Sequence, residues 1–145
     1  MRSGLNQKFP NMTKLGKVTT PYGGNTRYEQ FHPGVDIANA KGTPISAPVD
    51  GQVVRAIGDK VQGDASYGNS VMIKDAQGNH HNLGHLDQSL VQPGQTIKRG
   101  TPVGTMGNTG AAYSPSGNGD GTHLDYRIVS AFGRYKNPQP YLKNL

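Results

Sequence analysis

The stretch GTHLDYRI, residues 121–128, decides how this chain folds and what it can hold. Its residues predict a β-strand, and a strand has a side-chain period of two. His123 and Asp125 therefore leave the strand on the same face, where an imidazole and a carboxylate form a metal-ligand or acid–base pair. A second pair lies upstream in HPGVD, where a Pro-Gly turn separates His32 from Asp36 and makes their convergence plausible.

A further histidine motif lies in NLGHL, residues 82–86. On the predicted return strand of a hairpin, parity puts His81 and His85 on one face and His80 on the other. Two His/Asp pairs and one more histidine, all beside predicted strands, indicate a metallohydrolase centre. A catalytic zinc takes three protein ligands and leaves one position open for water, and histidines outside the ligand set transfer protons. Each signal alone is weak, because single histidines are common on surfaces and in cores.

The composition predicts one all-β domain. The chain has 145 residues, with 21 glycines, 10 prolines and 32% hydrophobic residues. This mix suits short strands joined by tight turns, as in a sandwich or small barrel, and no long segment has the apolar spacing of a helix. We expect an N-terminal arm over residues 1–17 and one domain over 18–145. The predicted strands cover residues 18–20, 34–38, 45–48, 52–57, 69–75, 80–86 and 123–129.

The charge and the absence of cysteine limit the partners. The net charge of +6 favours an anionic partner or serves solubility. The basic residues are scattered, so we expect no nucleic-acid binding. Without cysteine, disulfides and thiolate metal sites are excluded. No apolar run reaches membrane-spanning length, and the N-terminus lacks a signal-peptide core, so we expect a domain exported without its own signal or cut from a longer protein.

The order His32-x-x-x-Asp36, His85-Leu86 and His123-x-Asp125 resembles the lysostaphin/LytM-type zinc endopeptidases of peptidase family M23. The resemblance covers roughly residues 18 to 142. Its flanking blocks are FHPGVDIA (31–38), PISAPVDGQVV (44–54), YGNSV (67–71), VQPGQTIKRG (91–100), VGTMGNTG (103–110) and NPQPYL (137–142).

The resemblance implies a compact antiparallel sheet, a β-barrel-like sandwich of the lysostaphin type, with long loops that form a groove over the metal. It implies a zinc endopeptidase that hydrolyses cross-bridge or stem peptides of bacterial peptidoglycan by metal-activated water. By position, His32 and Asp36 are metal ligands, and His85 and His123 act in proton transfer and transition-state stabilisation. Asp125 stands at the third ligand position, where the family normally has histidine.

This departure changes the expected metal chemistry. Two carboxylates cancel the formal charge of Zn²⁺, whereas two histidines and one aspartate leave +1, so we expect lower Lewis acidity or a preference for a harder metal such as Mn²⁺. One alternative is a catalytically degenerate module of the same fold that binds cell wall or a partner protein. Another is a biotinyl-type carrier, but its modification turn needs a lysine and the turn at Met106 has none.

Several expectations concern surroundings rather than ligands. The long loop over residues 111–122 should form a wall of the groove. Tyr22 and Tyr113 are candidates either to stabilise an oxyanion or simply to pack. We expect a monomer whose partner is peptidoglycan, located outside the cell in the wall or on a phage tail.

Overall fold

The computed structural model of the chain describes residues 12–25, 30–57, 67–110 and 121–145. Tyr113 and most of the expected groove wall therefore lie outside the described residues. The described residues form ten strands in one antiparallel sheet and a short 3₁₀ helix at Gln139–Asn144. The strands are β1 (Lys17–Thr20), β2 (Gly34–Ala38), β3 (Pro44–Ser46), β4 (Gly51–Ile57), β5 (Asn69–Lys74), β6 (His80–Ser89), β7 (Thr96–Ile97), β8 (Pro102–Met106), β9 (Leu124–Val129) and β10 (Tyr135–Lys136).

The predicted all-β, antiparallel fold is confirmed. The main strand order is β1-β2-β9-β6-β5-β4-β7, with β10 on β9 and β3 joined through β8 to β6. Within the described residues the sheet does not close on itself. Strands distant in sequence, such as β2 and β9, are neighbours because the chain returns to the sheet centre near its end.

Strand β6 forks the sheet. Its first half, up to Gly84, pairs with β9, and its second half, from Leu86, pairs with β8. Strand β5 lies along its other edge. The fork therefore falls at His85, between the two halves.

The three central strands carry different chemistry on their two faces. Direct cross-strand partners on antiparallel strands point to the same face, so each row of partners can be assigned to one side. The core row, with no measurable exposure, is Val35, Tyr126 and Leu83. The neighbouring row, on the opposite face, is Asp36, Asp125 and Gly84. The alternation of apolar and polar residues thus places two carboxylates together.

The start of the chain joins the same sheet. Met12 forms a bridge with Lys17, and Leu15 is buried in the hydrophobic core. The division of the chain at residue 17 stays a prediction. Among the described residues, no helix has the length and apolar character needed to cross a membrane.

Candidate metal centre

Two carboxylates face each other across β2 and β9. Asp36 and Asp125 are direct register partners, and only 7% and 3% of their surfaces are exposed. Like charges in this arrangement repel, and buried charges need compensation by a partner or a metal. The pair therefore creates a strong local demand for positive charge.

His32 completes a three-donor cluster. It lies just before β2, and its Nε2 is 2.9 Å from Asp36 Oδ1. Gly34 allows the start of β2 to lie close to β9, because a Cβ there would stand 2.6 Å from the carbonyl oxygen of Tyr126 and 2.9 Å from Asp125 Oδ1. Ligand atoms of His32, Asp36 and Asp125 all lie within 4.8 Å of one another, and all three residues are buried.

The donor set fits a divalent cation. Imidazole nitrogen and carboxylate oxygen are both zinc ligands, and a tetrahedral zinc holds such donors roughly 3.3–3.6 Å apart. The three donor atoms would need to move by only about 1 Å to surround such an ion. The three predicted ligands are thus the residues that the fold brings together.

Two further histidines flank the cluster in a defined tautomer. Nδ1 of His85 donates to the carbonyl oxygen of Thr109, and Nδ1 of His123 donates to that of Gly121, both at 2.7 Å. A carbonyl can only accept, so each Nδ1 carries the proton and each Nε2 is left to exchange one. The ring centroids are 4.8 Å apart, and His123 Nε2 lies 3.8 Å from Asp36 Oδ1.

The surroundings of His85 favour its neutral form. Burial is the largest cause that lowers the pKa of His85, and the nearby His123 lowers it further. A neutral imidazole near pH 7 is the form that can act as a general base. The geometry and the protonation state of this ring are therefore compatible with proton transfer.

The prediction that His81 and His85 share one face of β6 is wrong. Between β5 and β6 the register passes from Val71↔Leu83 to Asn69↔Leu86, so β6 carries one extra residue. His85 itself has a left-handed backbone, with φ of 61°. This bulge reverses the alternation and turns His85 towards His123.

His81 instead remains on the core face. Its Nε2 donates to Asp75 Oδ2 at 2.9 Å, and its Nδ1 accepts from the Tyr126 hydroxyl at 2.7 Å. Burial is the largest cause that lowers the pKa of His81, against the opposing effect of Asp75. His81 is therefore a neutral member of a buried polar chain, outside the metal centre.

Thr109 fixes the backbone around His85. Its hydroxyl donates to the carbonyl oxygen of Leu86 at 2.7 Å and accepts from the amide of Asn69 at 3.0 Å. Its own carbonyl oxygen accepts the hydrogen bond from His85 Nδ1. Thr109 thus stabilises both the backbone of the bulge and the imidazole ring of His85.

Tyr67 is a supporting residue that the sequence analysis did not identify as such. Its ring lies on Gly84, where a Cβ would meet ring carbons at 2.4 to 2.6 Å. Its hydroxyl lies 2.9 Å from the carbonyl oxygen of Asn82 and 2.5 Å from that of Asp125. A glycine inside a strand was the available signal, since it often marks a close approach of another group.

Arg127 was also missed, although it lies two residues after Asp125 and so shares its face. Its Nε donates to Asp125 Oδ1 at 2.9 Å, and its Nη2 donates to Oδ2 at 2.8 Å. The two side chains are only 22% and 4% exposed. This bidentate pair adds a positive charge to the edge of the donor cluster.

Tyr22 packs rather than standing alone in the groove. Its ring meets Phe31 edge-on, with centroids 5.1 Å apart, and it contacts the hydrophobic core. A role in stabilising an oxyanion stays a prediction.

The described residues thus form an all-β domain with a buried His/Asp cluster and two flanking histidines. The sequence model of peptidase family M23 matches residues 30–138. The chain belongs to peptidase family M23.

Several relatives and structures agree with this assignment. The chain is 36% identical to the murein hydrolase activator NlpD of Escherichia coli over 88% of the chain and 29% of that protein. It is 33% identical to the peptidoglycan DD-endopeptidase ShyC of Vibrio cholerae over 74% of the chain and 22% of that protein. The catalytic domain of the antimicrobial peptidase lysostaphin from Staphylococcus simulans superposes with a TM-score of 0.67 at 26% identity, covering 88% of this chain and 90% of that one. The chain spans about a quarter to a third of the length of the curated relatives it matches.

Proposed function

We propose that this domain is a zinc-dependent endopeptidase that hydrolyses peptide bonds of bacterial peptidoglycan. The observation that carries the proposal is the convergence of His32, Asp36 and Asp125 donor atoms within 4.8 Å. A divalent zinc held there would polarise a scissile carbonyl and lower the pKa of water. The remaining steps belong to side chains of this chain.

His85 and His123 are the proton-handling groups in this proposal. Each holds a proton on Nδ1 through a backbone carbonyl, which leaves Nε2 to take a proton from the attacking water or pass one to the leaving amine. Their rings are neighbours, so the two transfers take place at one edge of the donor cluster. The fixed tautomers remove the need to reorient a ring before each transfer.

The substrate class rests on family membership, on the endopeptidase ShyC among the relatives and on the charge of the chain. The net charge of +6 favours an anionic polymer such as the bacterial wall. We place the domain outside the cytoplasm, in the cell wall or on a phage virion, and expect it to act as a monomer.

A second candidate is a domain that binds wall or a partner protein without catalysis. The bidentate contact of Arg127 with Asp125 favours it, because the guanidinium N–H groups already occupy one acceptor position on each carboxylate oxygen. The similarity to the activator NlpD points the same way.

Metal content and cleavage separate the two candidates. The purified protein would be loaded with zinc, assayed for bound metal by mass spectrometry, and incubated with defined peptidoglycan fragments. The enzyme proposal expects one bound ion per chain and new peptide termini, with both lost in His32→Ala and retained in His80→Ala. A protein that binds no zinc, cuts no fragment and still sediments with wall sacculi would contradict it and support the second candidate.

A further inference from the structure

We propose that Asp125 and Arg127 act as one uncharged ligand unit, in which the guanidinium cancels the charge of the carboxylate beside the metal. The inference rests on the proposed metal site and concerns how that site tolerates a second aspartate. It assigns Arg127 a charge-balancing role that neither family membership nor the ligand cluster supplies.

The contact has the geometry of a strong and specific pair. Two parallel hydrogen bonds of 2.8 and 2.9 Å join the planar groups of Arg127 and Asp125. Both side chains lie largely out of water, so the charge is poorly screened. The Arg127 guanidinium also lies 5.6 Å from the centre of the Tyr67 ring, which helps to fix it.

The pair leaves Asp125 able to bind a metal. A carboxylate has about four lone-pair positions, and the two hydrogen bonds from Arg127 use one on each oxygen. Each oxygen keeps one further position. Arg127 therefore restrains the carboxylate without consuming its capacity as a ligand.

Charge counting gives the functional meaning of the pair. Asp36 and Asp125 together carry two negative charges, and Arg127 removes one of them. With Zn²⁺ bound, the centre carries a formal +1, the same as a centre made of one aspartate and two neutral histidines. The pair thus restores the charge that a second carboxylate would otherwise cancel.

A histidine at position 125 should weaken zinc binding in this chain. The Asp125→His variant supplies a good neutral zinc ligand but leaves Arg127 as an uncompensated cation beside the metal. We expect it to bind zinc on the order of tenfold more weakly than the wild type, or weaker still. Asp125→His/Arg127→Gln should regain an affinity close to the wild type, and Arg127→Gln alone should bind at least as tightly as the wild type.

The experiment measures zinc dissociation constants by competition with a chromophoric chelator for these four proteins. Arg134→Gln is the matched control, because it removes the same charge from an exposed turn. Circular dichroism and metal-free melting verify that each protein is folded. If the histidine variants fail to fold, Asp125→Asn with and without Arg127→Gln tests the same charge order with an isosteric neutral ligand.

The outcomes distinguish this inference from the proposed function. An Asp125→His protein that binds zinc as tightly as the wild type, or more tightly, overturns the inference and indicates that Arg127 only blocks Asp125. A wild type that binds no zinc overturns both proposals. Affinities in the expected order with no cleavage of peptidoglycan support the ligand unit and contradict the enzyme.

Discussion

The hydroxyl of Tyr67 donates its proton towards the backbone carbonyl oxygen of Asp125, 2.5 Å away. The same hydroxyl lies 2.9 Å from the carbonyl oxygen of Asn82 on the neighbouring strand. Tyr67 therefore spans β6 and β9 beside a proposed metal ligand. Burial raises the pKa of Tyr67 well above its usual value, and Asp125 raises it further, so this donor keeps its proton throughout the neutral range.

Removal of the Tyr67 hydroxyl should destabilise the domain. Tyr67→Phe leaves the space filled but removes the one O–H donor that the carbonyl oxygens of Asp125 and Asn82 share, so we expect a loss of about 1–2 kcal/mol in the free energy of unfolding. Urea denaturation of the metal-free protein measures it. Tyr135→Phe is the control, since Tyr135 is 51% exposed. Equal losses in the two variants would contradict a special role for Tyr67.

The contact between Tyr67 and Gly84 predicts a second effect. Gly84→Ala places a methyl group against the aromatic ring, which has no flexible end to move aside, so overpacking should cost about 3 kcal/mol. Gly133→Ala is the comparison, because the new methyl group meets open space and the variant bears only the cost of a left-handed backbone, about 1–2 kcal/mol. Thermal and urea unfolding of both variants test the difference, and Gly84→Ala should be clearly the worse.

The proton-transfer role of His85 predicts a loss of turnover without a loss of metal. His85→Ala should reduce the rate of peptidoglycan cleavage about 10²- to 10⁴-fold while one zinc ion per chain remains bound. The neighbouring His80→Ala should cleave at the wild-type rate, because His80 lies outside the cluster. If His85→Ala loses its zinc along with its activity, His85 is a ligand rather than a proton-transfer group.

The buried position of His81 predicts a dependence of stability on pH. The pKa of His81 in the folded protein is below 6.5, its ordinary value. As the pH falls through about 6.5, His81 therefore becomes protonated in the unfolded chain while it stays neutral in the folded chain. The stability that results is fully present above pH 6.5 and is lost as the pH falls towards the folded-state pKa.

The variant His81→Phe isolates this contribution. It should be less stable than the wild type at about pH 7.5, because Asp75 and Tyr126 lose their partner. Its further loss of stability between about pH 7.5 and 5.5 should be smaller than that of the wild type. Urea unfolding at the two pH values gives both numbers, and an unchanged pH difference would contradict the interpretation.

The sequence was sufficient to predict those features of the fold and the site that depend on short-range periodicity. The alternation that starts just before β9 put His123 and Asp125 on the face of Asp36, and the Pro-Gly turn allowed His32 to approach Asp36. Most strand positions followed from runs of β-branched residues between glycine-rich turns. These features are local, so no knowledge of the partner strands was needed.

The remaining features depend on which strands become neighbours. The bulge at His85 arises where β6 changes partner from β9 to β8. The alternation of residues along β6 alone cannot predict it, because it depends on the neighbouring strands. The place of Tyr67 on Gly84 depends on a contact across the sheet. The pairing of Arg127 with Asp125 is compatible with their spacing, but only burial of both groups gives it weight.

The register of Asp36 opposite Asp125 has a consequence for the order of folding. One residue lies on the second strand and the other on the ninth, so their contact closes a loop that contains most of the domain. Closing so long a loop costs chain entropy, so we expect this contact to form after the local hairpins. A partly folded chain in which β2 and β9 are not yet paired therefore holds no complete ligand set. A cation bound to the completed cluster would join β2, near the start of the domain, to β9, near its end.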